Sequence, residues 1–241
     1  MIKFENLHKK YKSRKGEVIQ ALDGLSLEIA NNEVFAIAGI NGAGKTTTLK
    51  ALFGLINLDE GNITISLPES KTPKIGFAPE IPDLPEYLTT EEVLSLSCRL
   101  ANEKPLPQTI DRAINLFELV PLKGKLVSTL SKGNRQRLSL AASIVYNPDI
   151  IVFDEPTTGL DPLGRKLIKS VIKQLKSEGH SIIFSTHMLA DLPDLCDRMA
   201  IIHQGKTVFV GTVSEFCKDS SLTALEECFA KYVSSNGDIK C

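Results

Sequence analysis

The sequence predicts an α/β fold with a parallel sheet in its core, and three observations carry that expectation. Short, wholly apolar runs recur at 34–38, 150–153, 182–184 and 199–202, which is how strands buried on both faces read. Between them lie stretches with apolar residues at helical spacing, such as Leu138, Ala141, Ala142 and Val145, or Leu163, Leu167, Ile168, Val171, Ile172 and Leu175. The third observation is GINGAGKTTTLK, a glycine-rich turn joining the run Val34 to Ala38 to the helical pattern Leu49, Leu52, Phe53.

At the N-terminus, 2–4, 18–22 and 26–29 read as short strands separated by turns, an antiparallel β layer. The next strand, 34–38, feeds the glycine turn and a helix. From 88 to 120 the pattern is helical: Thr89 with Glu92 three residues on is a capping box, and a second helix is expected over 109–120. Prolines at 79, 82 and 85 and at 105 and 107 bound or interrupt this region. Helices are expected over 136–146 and 163–175, and residues 234–241 read as frayed. The organisation expected is a single domain, 1–241. Segments 1–79 and 146–220 form the core with its β layer, 80–145 an inserted helical subdomain, and 221–241 a short C-terminal tail.

A chain of 241 residues, 42% hydrophobic and 24% charged, has the composition of a soluble globular protein. Its formal net charge of -1 gives no general attraction for nucleic acid, and the basic run Lys9, Lys10, Lys12, Arg14, Lys15 reads as a solvated turn. No nucleic-acid partner is expected. The start MIKFENLHKK has no apolar targeting core and no apolar stretch approaches the roughly 18 residues that suggest a membrane span, so any membrane role is expected to come through a partner. Five cysteines, scattered and without a CxxC pair, argue against a disulfide framework or a zinc site and fit a reducing cytosol.

Residues 39–46 fit G-x-x-x-x-G-K-[ST] in the strand-to-helix context that gives this motif meaning. Glycines let successive N–H groups curl around phosphate oxygens, and the new helix aims its positive end at the same place. Lys45 adds a mobile charge for the β- and γ-phosphates, and the Thr46 hydroxyl can join the shell of a Mg²⁺ ion. Asn41, Gly42, Ala43, Gly44 and Thr47 complete the expected nucleotide-binding loop.

Binding a nucleotide is not hydrolysing it, and that needs further groups. Asp154 and Glu155 end the run 150–153, and ligands of open parallel sheets sit beyond such strand ends. Asp154 is expected to hold Mg²⁺ through water, and Glu155 to orient or deprotonate the attacking water. His187, after 182–186, is offered as a hydrogen-bond donor to the γ-phosphate.

The stretch Leu130-Ser131-Lys132-Gly133-Asn134-Arg135-Gln136-Arg137 resembles the signature of ATP-binding subunits of ABC transporters, usually LSGGQ with a basic, glutamine-containing tail. The order of parts fits across residues 1–211. Tyr11 stands where the family stacks an aromatic on adenine; Glu80, the signature, Asp154-Glu155, the D-loop Thr158-Gly159-Leu160-Asp161 and His187 follow. The resemblance implies a RecA-like P-loop NTPase core, ATP and Mg²⁺ as cofactors, and Glu80 as a further metal and catalytic group. It implies that Ser131 and Gly133, with Asp161, close over the nucleotide of a partner in a head-to-tail homodimer or ABC heterodimer around two ATP molecules. It also implies a separate transmembrane permease subunit, with the chain cytoplasmic and peripheral on the inner face of the membrane.

This sequence departs from the family pattern in Lys132 for a glycine, Asn134 for glutamine, and Glu80 for the usual glutamine. Lys132 either adds charge toward the phosphates or points to solvent. Pro79-Glu80 and the piece 223–229 resemble the exporter branch of drug, lipid and polysaccharide efflux ATPases. Ile81, Leu84 and Leu88 either pack against a permease helix or belong to this protein's own core. The alternatives are a soluble non-transport ABC ATPase, disfavoured by the short distance from Glu80 to Leu130, and a small-molecule kinase, which has no use for residues 130–137.

Overall fold

The computed structural model describes residues 1–12, 16–66, 72–217 and 221–235. Arg14 and Lys15 of the basic run, and 236–241 of the stretch expected to fray, lie outside them. The first half holds β1 (Ile2–Lys12), β2 (Val18–Ile29), β3 (Val34–Ala38), α1 (Lys45–Leu52), β4 (Glu60–Ile65), β5 (Ile75–Ala78), α2 (Thr90–Leu100) and α3 (Pro107–Leu116). Then come α4 (Lys132–Ile144), β6 (Ile150–Phe153), α5 (Pro162–Ser177), β7 (Ser181–Thr186) and α6 (Leu192–Leu195). The chain continues through β8 (Arg198–His203), β9 (Lys206–Gly211), α7 (Val213–Phe216) and α8 (Leu222–Ser235). It divides into two compact units, Met1–Lys71 with Ile183–Cys241, and Thr72–Ile182.

In the first unit, β2, β1 and β4 form an antiparallel sheet in that order, the β layer expected at the N-terminus. The short strands expected at 2–4, 18–22 and 26–29 are in fact two long ones, with Ile2 opposite Ile29 and Lys12 opposite Val18. Residues that read as turns are bulges instead: Asn6 (φ 51°) and Gly24 (φ 78°) take left-handed backbone where the register shifts near Leu7. Ile2, Phe4, Leu7, Leu25, Leu27 and Ile29 are buried, each such side chain contributing roughly 1.5–3 kcal/mol relative to exposure. β3, buried at every position, pairs parallel with β8 from Phe35↔Arg198 to Ala38↔Ile201. A strand absent from the expectation, β9, returns antiparallel along β8. Its hairpin turns on Gln204 (φ 47°) and Gly205 (φ 74°), the paired positive φ that matches strand twist.

In the second unit β5 and β6 pair parallel, Ile75↔Ile150 to Ala78↔Phe153, and helices dominate the rest. The capping box opens α2 as expected: the Glu92 N–H donates to Thr89 Oγ1 (3.3 Å) and the Thr89 N–H to Glu92 Oε2 (2.8 Å). The Thr89 N–H first, and then the Thr89 hydroxyl, donate to the Glu92 carboxyl and hold it below its ordinary range. The second helix differs from the expected 109–120. It starts at Pro107, whose fixed φ suits the first helical position, and stops at Leu116, since Glu118 turns left-handed (φ 52°) and Pro121 opens a separate 3₁₀ turn. Val93, Leu94, Ile114, Phe117, Leu138, Ile151 and Phe153 form the buried interior here.

Candidate functional site

The first unit gathers the glycine loop and its surroundings. Lys45 opens α1, and Gly44 before it has φ 111°, a conformation that L side chains rarely adopt. A Cβ there would lie 2.6 Å from Ala21 O, and one at Gly39 would lie 2.4 Å from Ile202 O, so neighbouring backbone closes on the loop at both ends. Gly205 N–H donates to Ala43 O (2.9 Å), tying the β8–β9 turn to the loop's middle. No side chain caps α1, while Asn41 and Gly42 are exposed and Thr46 and Thr47 half-buried on its first turn. Lys45 is 6% exposed, and its Nζ donates to Gly39 O (2.9 Å) and Ile40 O (3.3 Å).

Beside the loop, Gly39 N–H donates to Thr186 O at the end of β7 (3.3 Å). His187 follows at once; it is exposed and shares the wall of a cavity of about 370 Å³ with Gly39 and Ile40. Tyr11, 38% exposed, pairs with Ile19 across the β1–β2 ladder, and the Lys9 ammonium stands 5.7 Å from its ring centre.

The second unit gathers the acidic groups and the signature stretch. Asp154 N–H donates to Ala78 O (2.9 Å), so the ends of β5 and β6 lie side by side and Glu80 leaves from the same edge as Asp154 and Glu155. Asp154 is 2% and Glu155 5% exposed, whereas Glu80 is exposed. Glu155 has φ 50°, left-handed backbone in a non-glycine residue, which costs on the order of 1–3 kcal/mol and clusters where function holds strain in place. The following turn fixes it: Thr158 N–H donates to Glu155 O (3.1 Å) and Thr158 Oγ1 to Glu155 Oε2 (3.4 Å).

Ser131 is the N-cap of α4, its hydroxyl accepting from Asn134 N–H at 3.3 Å. Asp161 does the same for α5, accepting from Gly164 N–H at 2.7 Å. Ser131, Gly133 and Asp161 line one cavity of about 420 Å³.

The family model described as ABC transporter matches residues 22–158. An uncharacterized ABC transporter ATP-binding protein of Methanocaldococcus jannaschii, MJ1023, is 37% identical over 219 residues, 90% of this chain and 79% of that one. The chain belongs to the family of ABC transporter ATP-binding proteins. Nod factor export ATP-binding protein I of Burkholderia orbicola is 34% identical over 220 residues, 87% of this chain and 70% of that protein. Among solved structures, the dimeric post-hydrolysis state of the ATP-binding cassette MJ0796 bound to ADP and Pi superposes with a TM-score of 0.79. It is 26% identical, covering 88% of this chain and 99% of that one. The fold is thus the α/β P-loop NTPase of ABC cassettes.

Within an ABC cassette the departures from the usual motifs acquire places. Glu80 and Lys132 line one cavity of about 430 Å³, together with Arg135 and Thr158. A carboxylate and an ammonium thus line the same space. The Lys132 chain lies over Gly159 of the D-loop, where a Cβ would meet its Cε at 3.2 Å and its Nζ at 3.4 Å. Asn134 turns back along its own helix, its Oδ1 accepting from Arg137 Nη2. Sequence reasoning missed the brace from Gly205 to Ala43 and the latch from Thr158 to Glu155. Only the Gln204-Gly205 dipeptide, a turn signal, could have pointed to the first.

Proposed function

We propose that the chain is the ATP-hydrolysing subunit of an ABC exporter, driving a separate transmembrane permease from the cytoplasmic face of the membrane. The observation that carries this reading is the start of α1: glycine backbone hands over to a helix with no side-chain cap, leaving a positive helix end for an anion. In this scheme Lys45 exchanges loop carbonyls for phosphate oxygens, the N–H groups of 41–47 cradle the phosphates, and Tyr11 offers a face to the base. Glu155 accepts a proton from the attacking water, and His187 donates to the γ-phosphate.

The donors named for magnesium, Thr46, Asp154 and Glu80, are all hard oxygens, the set that suits this ion. Among the described residues no three His, Cys, Asp or Glu cluster to hold a metal. An ion there would be held by one or two carboxylates together with the nucleotide. When bound, the ion neutralises charge on the phosphate oxygens.

Two copies, or this chain and a related one, pack head-to-tail, with Ser131, Gly133 and Asp161 of each completing the nucleotide site of the other. No helix of the described residues is long and apolar enough to cross a membrane. In this scheme translocation belongs to the permease. A groove of about 680 Å³ in the second unit, lined by Phe77, Leu84, Leu100 and Tyr146, receives a short apolar helix of that subunit. Ile81, which lines the cavity of Glu80 and Lys132, is 80% exposed, and this favours the docking role over the core role for it. Export as the direction draws on Pro79-Glu80 and on the name of the Nod factor export relative.

The test is release of phosphate from Mg·ATP by the purified chain, combined with affinity capture from detergent-solubilised membranes. Phosphate release with an integral membrane protein in the captured fraction is the expected result; a phosphorylated small molecule in place of free phosphate would point to a kinase. A narrower expectation concerns Ser131→Ala. Loss of the N-cap lowers stability by about 1 kcal/mol, and hydrolysis falls at least roughly tenfold because a donor across the dimer is gone. ATP binding to the monomer, measured by calorimetry, stays unchanged; loss of that binding would mean that the site is not shared.

A further inference from the structure

Two cysteines eleven residues apart, Cys217 and Cys228, meet at the C-terminal helix. Cys217 ends α7, and its Sγ donates to Ala224 O (3.5 Å) in the first turn of α8. Cys228 stands one helical turn beyond Ala224 on the same face, which sets its side chain over Cys217. The two thiols hydrogen-bond, and this bond, ahead of burial, holds the Cys228 thiol above its ordinary range. Cys217 is buried and Cys228 half-exposed; both are free thiols.

The helix that carries Cys228, α8, is an anchored element that borders the glycine loop. Tyr232 of α8 packs on Phe216 (ring centres 4.8 Å apart) and Phe209 (5.7 Å), and Leu225 is fully buried. On its other side, Glu226 and Phe229 form the wall of the cavity opposite Gly39, Ile40 and His187.

We propose that Cys217 and Cys228 are a reversible dithiol site, closed to a disulfide by peroxide-class oxidants, which latches α8 against the wall of the glycine loop. In the first step the Cys228 thiolate, the more accessible of the two, attacks one peroxide oxygen. The O–O bond breaks, the sulfur becomes a sulfenic acid, and the leaving oxygen departs as water after taking a proton. In the second, the Cys217 thiolate attacks that sulfur, the S–S bond forms and the sulfenic oxygen leaves as a second water. Two thiols and one H2O2 thus yield one disulfide and two H2O, and a dithiol reductant reverses the change. Because Cys228 is held protonated, closure quickens as pH rises toward its raised pKa. In a reducing compartment such a pair spends most of its time open and closes under oxidative load.

The test uses the full chain with hydrogen peroxide, then alkylation and peptide mapping, then limited trypsin digestion followed at Lys231 of α8. The expected map is an intramolecular Cys217–Cys228 disulfide, reversed by dithiothreitol, with Cys98 and Cys196 alkylated only after unfolding. Cys98 is buried, and burial pushes the Cys196 thiol up to about 12. Cleavage at Lys231 should slow roughly tenfold or more in the oxidised chain, and not in Cys217→Ser or Cys228→Ser, of which either one that folds suffices. Both thiols remaining free, a bridge to a different cysteine, or a bridge that leaves Lys231 cleavage unchanged would each overturn the proposal. None of these readouts needs nucleotide, so the outcome is separate from that of the ATPase reading.

Discussion

Replacing Glu155 by Gln is expected to lower ATP hydrolysis by roughly 10²–10⁴-fold while leaving ATP affinity unchanged. The amide keeps the length and shape of the side chain, and its oxygen can still accept from Thr158 Oγ1, so the turn after β6 is preserved. What disappears is the capacity to take a proton. With hydrolysis stalled and binding intact, the ATP-bound pair should accumulate, read as a shift from monomer to dimer by light scattering after size-exclusion chromatography in Mg·ATP. The left-handed backbone of Glu155 argues that its placement is enforced, because a buried residue held at that φ at a local cost on the order of 1–3 kcal/mol is not a passive linker before Pro156. Normal turnover by the variant would remove Glu155 from the mechanism; stalled turnover with a strictly monomeric protein would instead remove the shared site.

What could be read from the sequence was what short-range physics fixes. β3 and β6 announce themselves because every residue of each is apolar and buried, and the box at Thr89 and Glu92 because a cap needs only neighbours three positions apart. The segments between 2–4, 18–22 and 26–29 misled for a related reason: local sequence there reads as turns, and only the partner strand makes Asn6 and Gly24 bulge positions inside a continuous ladder. β4 went unread since its residues are exposed or half-buried and give no clean alternation. Within the candidate site, the glycine loop was legible as a local motif. The contact of Lys132 with Gly159 and the shared cavity of Glu80 and Lys132 depend on elements brought together by packing, which no window of sequence contains.

Lys45→Ala is expected to weaken ATP binding by about 2–3 kcal/mol, a loss on the order of 10²-fold in affinity measured by calorimetry, because a charge-assisted contact to phosphate is worth that much. The local geometry sharpens the expectation. The ammonium is nearly buried and already directed at the loop's own carbonyls, Gly39 O and Ile40 O, so exchanging them for phosphate oxygens needs no large rearrangement of the side chain. Truncation also leaves those carbonyls without this donor, so a fall in Tm accompanies the affinity loss and has to be separated from it. Lys45→Arg separates them: it keeps the charge, while its bulky planar fork does not fit a pocket shaped for a point charge beside buried backbone. An alanine variant with wild-type affinity would show that the anion is held by the N–H groups of the glycine loop alone, and Lys45 would then be a structural clasp between the strand end and the first turn of α1.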